Sequence, residues 1–352
     1  MNIEIGLLLV ACVLWAIGFF LLRPHRSIGG SDSSNGRSAA GTVSIIIPAR
    51  NEEGNLPVLL RSLSSQSTKP REIIVVNDGS TDRTVEVARE YGATVISSKP
   101  LPEGWRGKTW ACHQGAQSAN GALLLFVDAD TWFEPDGLNR ILSHYEGGAF
   151  SVGPYHAVRN AYEDLSLFFN LNMIVGTVPD RLFGQMLLVD RDSFARVGGH
   201  EAVKGRILEN YFLARQFHDS NIAVRSAIGR GVLSFRMYPN GLRELMDGWT
   251  KGFAAGAAQT PGRVLLLVVA WMTGLTLVPI GGLAAANGFW WGIAYLLCAG
   301  QVMWLSRLIG SFKWFTAFLY PLPLLFFFAV FTRSSLRSGK QVTWKGREIR
   351  AD

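Results

Sequence analysis

Cysteine is scarce in this chain of 352 residues: Cys12, Cys112 and Cys298 are the whole complement. Their spacing suits neither a disulfide framework nor a zinc site, and two of them fall in long apolar stretches. A reducing, cytoplasmic setting is therefore expected for the polar part of the chain. A basic surface stripe is missing as well. The net charge is +7, but the basic side chains are scattered, with no interleaved aromatics and no recognition motif, which argues against nucleic acid as a partner. Basic residues flanking apolar spans suit a protein lying against an anionic membrane face better. The first four residues contain an acidic side chain, Glu4, and no basic one, and no clear small-residue cleavage site follows. The first apolar run reads as a retained anchor rather than a cleaved signal peptide. Residues 24–41 lack large apolar side chains almost entirely and are rich in Gly and Ser, the composition of a flexible tether.

What is abundant is hydrophobic, at 48% of residues, and it is unevenly placed. Residues 5–22 form an apolar run long enough to span a bilayer core, closed by Arg23 and Arg26. Arginines there put the following domain in the cytoplasm. Three more apolar stretches, 264–284, 289–306 and 314–331, follow the mixed middle of the chain, with Trp290, Trp291, Trp304 and Trp314 near the expected interfaces. Three full crossings would leave the tail outside, yet it holds Arg333, Arg337, Lys340, Lys345, Arg347 and Arg350. One stretch is thus expected not to cross. The choice falls on 314–331, broken by Pro321 and Pro323, as a re-entrant or interfacial segment. The expected partition is an anchor (1–23), a linker (24–41), a soluble domain (42–261), C-terminal membrane segments (262–332) and a basic tail (333–352).

The middle of the chain alternates strand and helix. The β-branched run at 43–47, stopped by Pro48, reads as a buried parallel strand. Leu56, Leu59, Leu60 and Leu63 then share one helical face. Residues 72–76 form a second strand ended by the turn Asn77-Asp78-Gly79-Ser80, after which Ser80 or Thr81 caps a helix carrying Val85, Val87 and Ala88. A short strand at 94–96, a helix at 108–118 and a strand at 122–127 complete the pattern. Such alternation means an α/β fold with a parallel sheet. In such sheets ligands bind beyond the carboxyl ends of the strands. Three polar clusters fall there: Arg50-Asn51-Glu52, Asn77-Asp78 and Asp128-Ala129-Asp130. Their convergence on one edge points to a nucleotide site.

Asp128 and Asp130 can turn toward one hard divalent ion, Mg²⁺ or Mn²⁺, that neutralises a departing diphosphate; a surface Asp-x-Asp turn is the plain alternative. Asp78 either accepts from a ribose or base or satisfies its own turn. Lys108, after Gly107, offers a point charge to a diphosphate; a merely solvated lysine at a helix start would oppose the helix dipole. Glu209 is either a general base for an acceptor hydroxyl or a first-turn acidic residue of an amphipathic helix. His200, after Gly198-Gly199, is either a metal or phosphate contact or a structural histidine. Trp249 and Lys251 either frame the diphosphate or the acceptor entrance, or form an interfacial aromatic–basic pair.

Together these residues resemble family 2 of the inverting glycosyltransferases, which have the GT-A (Rossmann-like) fold. The segment SIIIPARNE, residues 44–52, is similar to the family's first strand and uridine-binding loop, which implies nucleotide-sugar contacts at Pro48, Arg50 and Glu52. VNDGS at 76–80 resembles the second nucleotide contact, with Asp78 the implied ligand, and VDAD at 127–130 resembles the Asp-x-Asp motif. The latter implies that Asp130 ligates the metal and Asp128 the ribose or the metal. Closer likeness is to the carotenoid-acid branch, through Gly107-Lys108, Phe235-Arg236-Met237-Tyr238, Gly248-Trp249-Thr250-Lys251 and Trp344-Lys345-Gly346-Arg347. Hopanoid-associated members share much of this pattern. The resemblance implies transfer of one sugar from a UDP-sugar donor, UDP-glucose, to a hydrophobic lipid acceptor at the plasma membrane. The family usually has Glu-Asp or Asp-Asp where this chain has Glu209-Asn210. An amide cannot act as a base, so any base here is Glu209. Of the processive Gln-x-x-Arg-Trp motif only Trp249 is kept, which argues for single sugar addition.

Overall fold

The computed structural model describes residues 3–21, 28, 42–206, 208–286, 288–337, 341–344 and 347–350, with the backbone alone for 251–259, 337 and the last two segments. Chain order is α1 (Ile3–Ala16), α2 (Gly18–Leu21), β1 (Val43–Ala49), α3 (Leu56–Ser64), β2 (Glu72–Asn77), α4 (Thr84–Glu90), β3 (Thr94–Ser97), α5 (Gly107–Ser118), β4 (Leu123–Val127), β5 (Thr131–Phe133), α6 (Gly137–Ser143), β6 (Ala149–Gly153) and β7 (Tyr155–His156). A 3-10 turn (Ala161–Ser166) leads into α7 (Leu167–Thr177), β8 (Met186–Asp190), α8 (Arg191–Arg196), a second 3-10 turn (Gly199–Val203), α9 (Glu209–Asp219), β9 (Val224–Ile228) and β10 (Leu233–Phe235). Last come α10 (Leu242–Gln259), α11 (Gly262–Ala284), α12 (Phe289–Ile309), α13 (Trp314–Phe318), α14 (Pro321–Arg337) and the hairpin strands β11 (Gln341–Trp344) and β12 (Arg347–Arg350).

The main sheet runs β3-β2-β1-β4-β8-β6-β9. Strands β3, β2, β1 and β4 are mutually parallel, and β8 is antiparallel to both neighbours. Ile45 and Ile47 bury into one core while Ile46 buries into the other, so β1 is covered on both faces. That double burial is why the strand reads as an unbroken apolar run. Pro48 does not stop it. The β4 ladder ends at Ile46, and beyond that point nothing on that side asks for the N–H that Pro48 lacks. The helix after β2 also begins later than its cap residues suggest, at Thr84 after Arg83. Ser80 and Thr81 are instead spent on another loop: the Asn51 N–H donates to Ser80 Oγ, and the Thr81 N–H donates to Asn51 Oδ1. Strands β5 to β10 were not foreseen. They are short, and the antiparallel β8 breaks the strand–helix alternation.

Among the described residues, three helices are long and apolar enough to cross a membrane: Ile3–Leu21, Gly262–Ala284 and Phe289–Ile309. The first lies antiparallel to α11. Glu4 accepts from the Ala286 N–H at one end, and Gly274 sits under Ala11, Leu14 and Trp15. A Cβ on Gly274 would come within 2.6 Å of the Trp15 nitrogen, so the small residue sets how closely the helices pack. Trp291 is not interfacial: it is buried against Gly281 between α11 and α12.

The stretch 314–331 is broken, as its prolines predict, with Leu319 and Tyr320 separating α13 from α14. The two pieces form a hairpin. At its start Asp164 of the first 3-10 turn accepts from the Lys313 N–H (3.1 Å) and the Thr316 hydroxyl (2.8 Å). At its turn the Tyr320 hydroxyl donates to Leu275 O, midway along α11. On the way back Arg333 pairs with Asp247 of α10 at 2.6 Å, and Ser334 donates to Thr250 O. Both ends of the hairpin therefore lie on the α/β domain. One apolar core unites α7, Trp249, α11, α12 and the hairpin.

Candidate active site

Strands β2, β1 and β4 are adjacent and parallel, so the three polar clusters emerge at one edge. The first two interlock. Arg50 Nη1 donates to Asp78 O at 2.8 Å, and the Glu52 and Glu53 N–H groups donate to Thr84 Oγ1 and Asp82 Oδ2. Asp78 is 8% exposed, its carboxylate 4.0 Å from Arg50. The left-handed Asn51 (φ 53°) turns the first loop toward the second. Two loops stapled in this way make a rigid wall of the kind a flat base and a ribose need.

The third cluster is organised by Lys108. Its ammonium lies 2.8 Å from Asp128 Oδ1 and 2.9 Å from Glu209 Oε1, and it donates to Gly184 O at 2.8 Å. The approach to Glu209 is an ion pair by distance but is not aligned as a hydrogen bond. Burial alone would push the Lys108 pKa down, but Asp128 and Glu209 outweigh it and hold the ammonium well above its usual range. Lys108 is thus a fixed cation. Its charge lies between two carboxylates, a meeting that the spacing in the sequence did not show.

These groups line a pocket of about 210 Å³, counting its open mouth, with Pro48, Cys112, Phe126, Gly184, His200 and Asn210 among its walls. His200 is buried edge-on to Phe126 and Phe194, and burial lowers its pKa to about 3, so the ring is neutral. Its Nδ1 has no hydrogen-bond partner among the described residues. Gly198 and Gly199 before it have φ of 76° and 53°, the left-handed geometry that favours glycine. Glu209 is 5% exposed at the first position of α9 and faces the pocket, so it is no solvated first-turn residue. Its neighbour Asn210 donates to Phe183 O at 2.7 Å and to Gly184 O at 3.4 Å. This explains an amide here. A carboxylate would face two carbonyl oxygens, so Asn210→Asp is expected to cost about 1–3 kcal/mol in thermal unfolding.

Asp128 and Asp130 flank a turn in which Thr131 Oγ1 donates to Asp128 O. Two hard carboxylates suit Mg²⁺ or Mn²⁺ when an incoming phosphate completes the shell. Among the described residues no group of three or more His, Cys, Asp or Glu is placed to hold a metal alone.

Trp249 lies behind the site. It stacks on Phe169 (4.7 Å between ring centroids, 16° between planes), donates to Ser166 Oγ and is 8% exposed, so it packs α10 rather than framing a diphosphate. Lys251 falls on α10, with its side chain outside the described residues. The reading of single residues missed Tyr238. It has φ of 57°, rare for a bulky residue, and its ring presses on Gly248 of α10. Burial, then the charges of Asp130 and Glu244, push its phenol pKa up. No local sequence signal marks an aromatic in the left-handed region. Only the likeness of the segment 235–238 hinted at it.

A model of glycosyl transferase family 2 matches residues 44–173. The 4,4'-diaponeurosporenoate glycosyltransferase of Staphylococcus aureus strain USA300 is 34% identical over 330 residues, covering 87% of this chain and 88% of that protein. The chain belongs to glycosyltransferase family 2. Among solved structures, a mannosyltransferase from Pyrobaculum calidifontis in complex with GDP-Man and Mn²⁺ covers 94% of this chain and 95% of its own, with a TM-score of 0.53 and 16% identity. The shared fold is the GT-A-like α/β fold with a mostly parallel central sheet. A glucosyl-3-phosphoglycerate synthase from Mycobacterium tuberculosis, in complex with Mn²⁺ and UDP-glucose, covers 67% of this family 2 chain and 85% of its own, with a TM-score of 0.44 and 21% identity.

Proposed function

We propose that this glycosyltransferase moves a single glucose from UDP-glucose, with inversion at the anomeric carbon, onto the carboxylate of a carotenoid acid held in the membrane. The S. aureus relative named for diaponeurosporenoate supports the acceptor class. The observation that carries the reading is the ion pair of Glu209 with Lys108 at 2.9 Å. The half-buried Lys108 ammonium occupies the approach to Glu209 Oε1, so an acceptor hydroxyl would have to compete with it for that oxygen. A carboxylic acid acceptor is ionised at neutral pH and asks for no proton transfer. An acceptor hydroxyl, as on a hopanoid or diacylglycerol, would need Glu209 freed from Lys108 to take the proton at its carboxylate.

In this reading the loops of Pro48, Arg50, Glu52 and Asp78 hold the uridine, and Lys108 holds the diphosphate beside Asp128. Asp130 and Asp128 would hold Mg²⁺ or Mn²⁺, which would supply charge stabilisation to the departing diphosphate. His200 offers a neutral ring to the bound donor, and Trp249 and Lys251 sit on the helix behind it. The acceptor oxygen enters from the side of α7, whose core is continuous with the apolar helices. The chain lies in the plasma membrane with its α/β domain in the cytoplasm and three crossings. The hairpin of α13 and α14 is re-entrant, which keeps the basic tail on the cytoplasmic side. The domain limits are those given above, 1–23, 24–41, 42–261, 262–332 and 333–352.

Mass spectrometry of lipid extracts from cells with and without the protein tests the reading. A hexose ester of a carotenoid acid, cleaved by mild alkali, is the expected product. An alkali-stable hexoside, a glycosylated polyprenyl phosphate or a polymer would overturn it.

A further inference from the structure

Four of the six residues in the 3-10 turn Ala161–Ser166 each hold a part of the chain remote in sequence. The Tyr162 hydroxyl donates to Tyr238 O at 2.9 Å and accepts from the Gly241 N–H at 3.0 Å. Glu163 is fully buried and takes Arg236 Nη2 at 2.6 Å and Nε at 3.1 Å on one oxygen. Asp164 is 5% exposed and accepts from the Lys313 N–H and the Thr316 hydroxyl, with Lys313 Nζ at 3.9 Å. Ser166 accepts from the Trp249 indole at 3.0 Å. Tyr162 and Glu163 thus clamp the loop that holds Tyr238 in its left-handed conformation. Asp164, the next residue, caps the start of the apolar hairpin, and Ser166 fixes the helix on which Tyr238 rests.

We propose that this turn is a positioning hub that ties the apolar hairpin Trp314–Arg337 to the loop that holds Tyr238. Asp164 is its positioning residue on the hairpin side. Displacing the hairpin moves Asp164, and Asp164 cannot move without Tyr162 and Glu163 on the same tight turn. Each of these bonds is buried or half-buried, where a lost partner leaves an unsatisfied polar group and so resists partial breakage. Its functional meaning rests on the proposed reaction: seating of the hairpin in lipid would then set the geometry at which the donor meets an apolar acceptor.

Hydrogen exchange of the full chain in phospholipid nanodiscs tests the link without any acceptor, so it stands or falls separately from the proposed reaction. In Asp164→Ala, amides at 313–318 lose their cap directly. The hub further requires exchange at 236–241, which Asp164 does not touch, to accelerate about tenfold while β1 keeps its wild-type rate. Asp164→Asn keeps an acceptor oxygen and is expected to restore slow exchange at 236–241. Acceleration confined to 310–318, or equal acceleration in β1, would overturn the proposal. If Asp164→Ala does not fold, Thr316→Val removes one leg of the cap. It is expected to speed exchange at 236–241 by about threefold, and an unchanged rate there would equally overturn the hub.

Discussion

Asp130→Ala is expected to lower kcat/KM for the sugar donor by about a thousandfold, the scale seen when a group that stabilises developing charge is removed. The expectation follows from how the site divides its charges. Asp128 is paired with Lys108 at 2.8 Å, and Asp130 is the residue that the proposed reading assigns to the divalent ion. Asp130 is half-buried at the mouth of the strand β4 turn rather than in the core, so its loss opens no cavity. Thermal unfolding of the variant should therefore stay within about 0.5 kcal/mol of wild type while turnover disappears. Chelation with EDTA should reproduce the loss in the wild type, and added Mg²⁺ or Mn²⁺ should reverse it. Neither chelator nor metal should alter the residual rate of the variant. Undiminished turnover in Asp130→Ala would show that the Asp-x-Asp turn is only a turn.

That the polar clusters share one edge was legible in the sequence because they sit at strand ends. Val43, Glu72 and Leu123 open three short β-branched or apolar runs, and the polar residues closing each run are brought to one edge by parallel pairing alone. Lys108 and Glu209 were marked by residue type, but their meeting was not legible. The ion pair joins the first turns of α5 and α9, a hundred residues apart, and depends on unforeseen strands that fold between them. Tyr238 was hidden for a different reason. Its place depends on a left-handed backbone and on Gly248 beneath its ring, and neither leaves a local pattern. Trp249 misled because an aromatic–basic sequence beside a membrane span looks interfacial, whereas the indole turns inward to Ser166 and Phe169. The apolar helices were plain from composition. The break between α13 and α14 was visible in Pro321 and Pro323. The contacts of Asp164 and Asp247 that hold the hairpin on the domain were not.

Lys108→Met should damage stability as well as activity, and the two effects can be separated. Removing the ammonium leaves Glu209, 5% exposed, and Asp128 with no counter-charge between them. Lys108 and Asp128 are half-buried and only Glu209 is buried, so the loss is expected to cost about 1–3 kcal/mol, less than breaking a fully buried pair but a large share of the 5–15 kcal/mol that holds a typical domain folded. A fall in the unfolding midpoint of the detergent-solubilised protein is expected, together with a loss of donor turnover of about a hundredfold or more. Adding Glu209→Gln to Lys108→Met removes the stranded charge while keeping the side chain's shape. The double variant should recover most of the lost stability and none of the lost turnover, because the diphosphate still lacks its cation. A coupling of at least about 1 kcal/mol between the two substitutions is the quantitative expectation. If Lys108→Met unfolds at the wild-type midpoint, the ammonium is not the neutralising centre of the pocket. If the double variant regains turnover, Lys108 serves only to hold Glu209 and does not act on the donor.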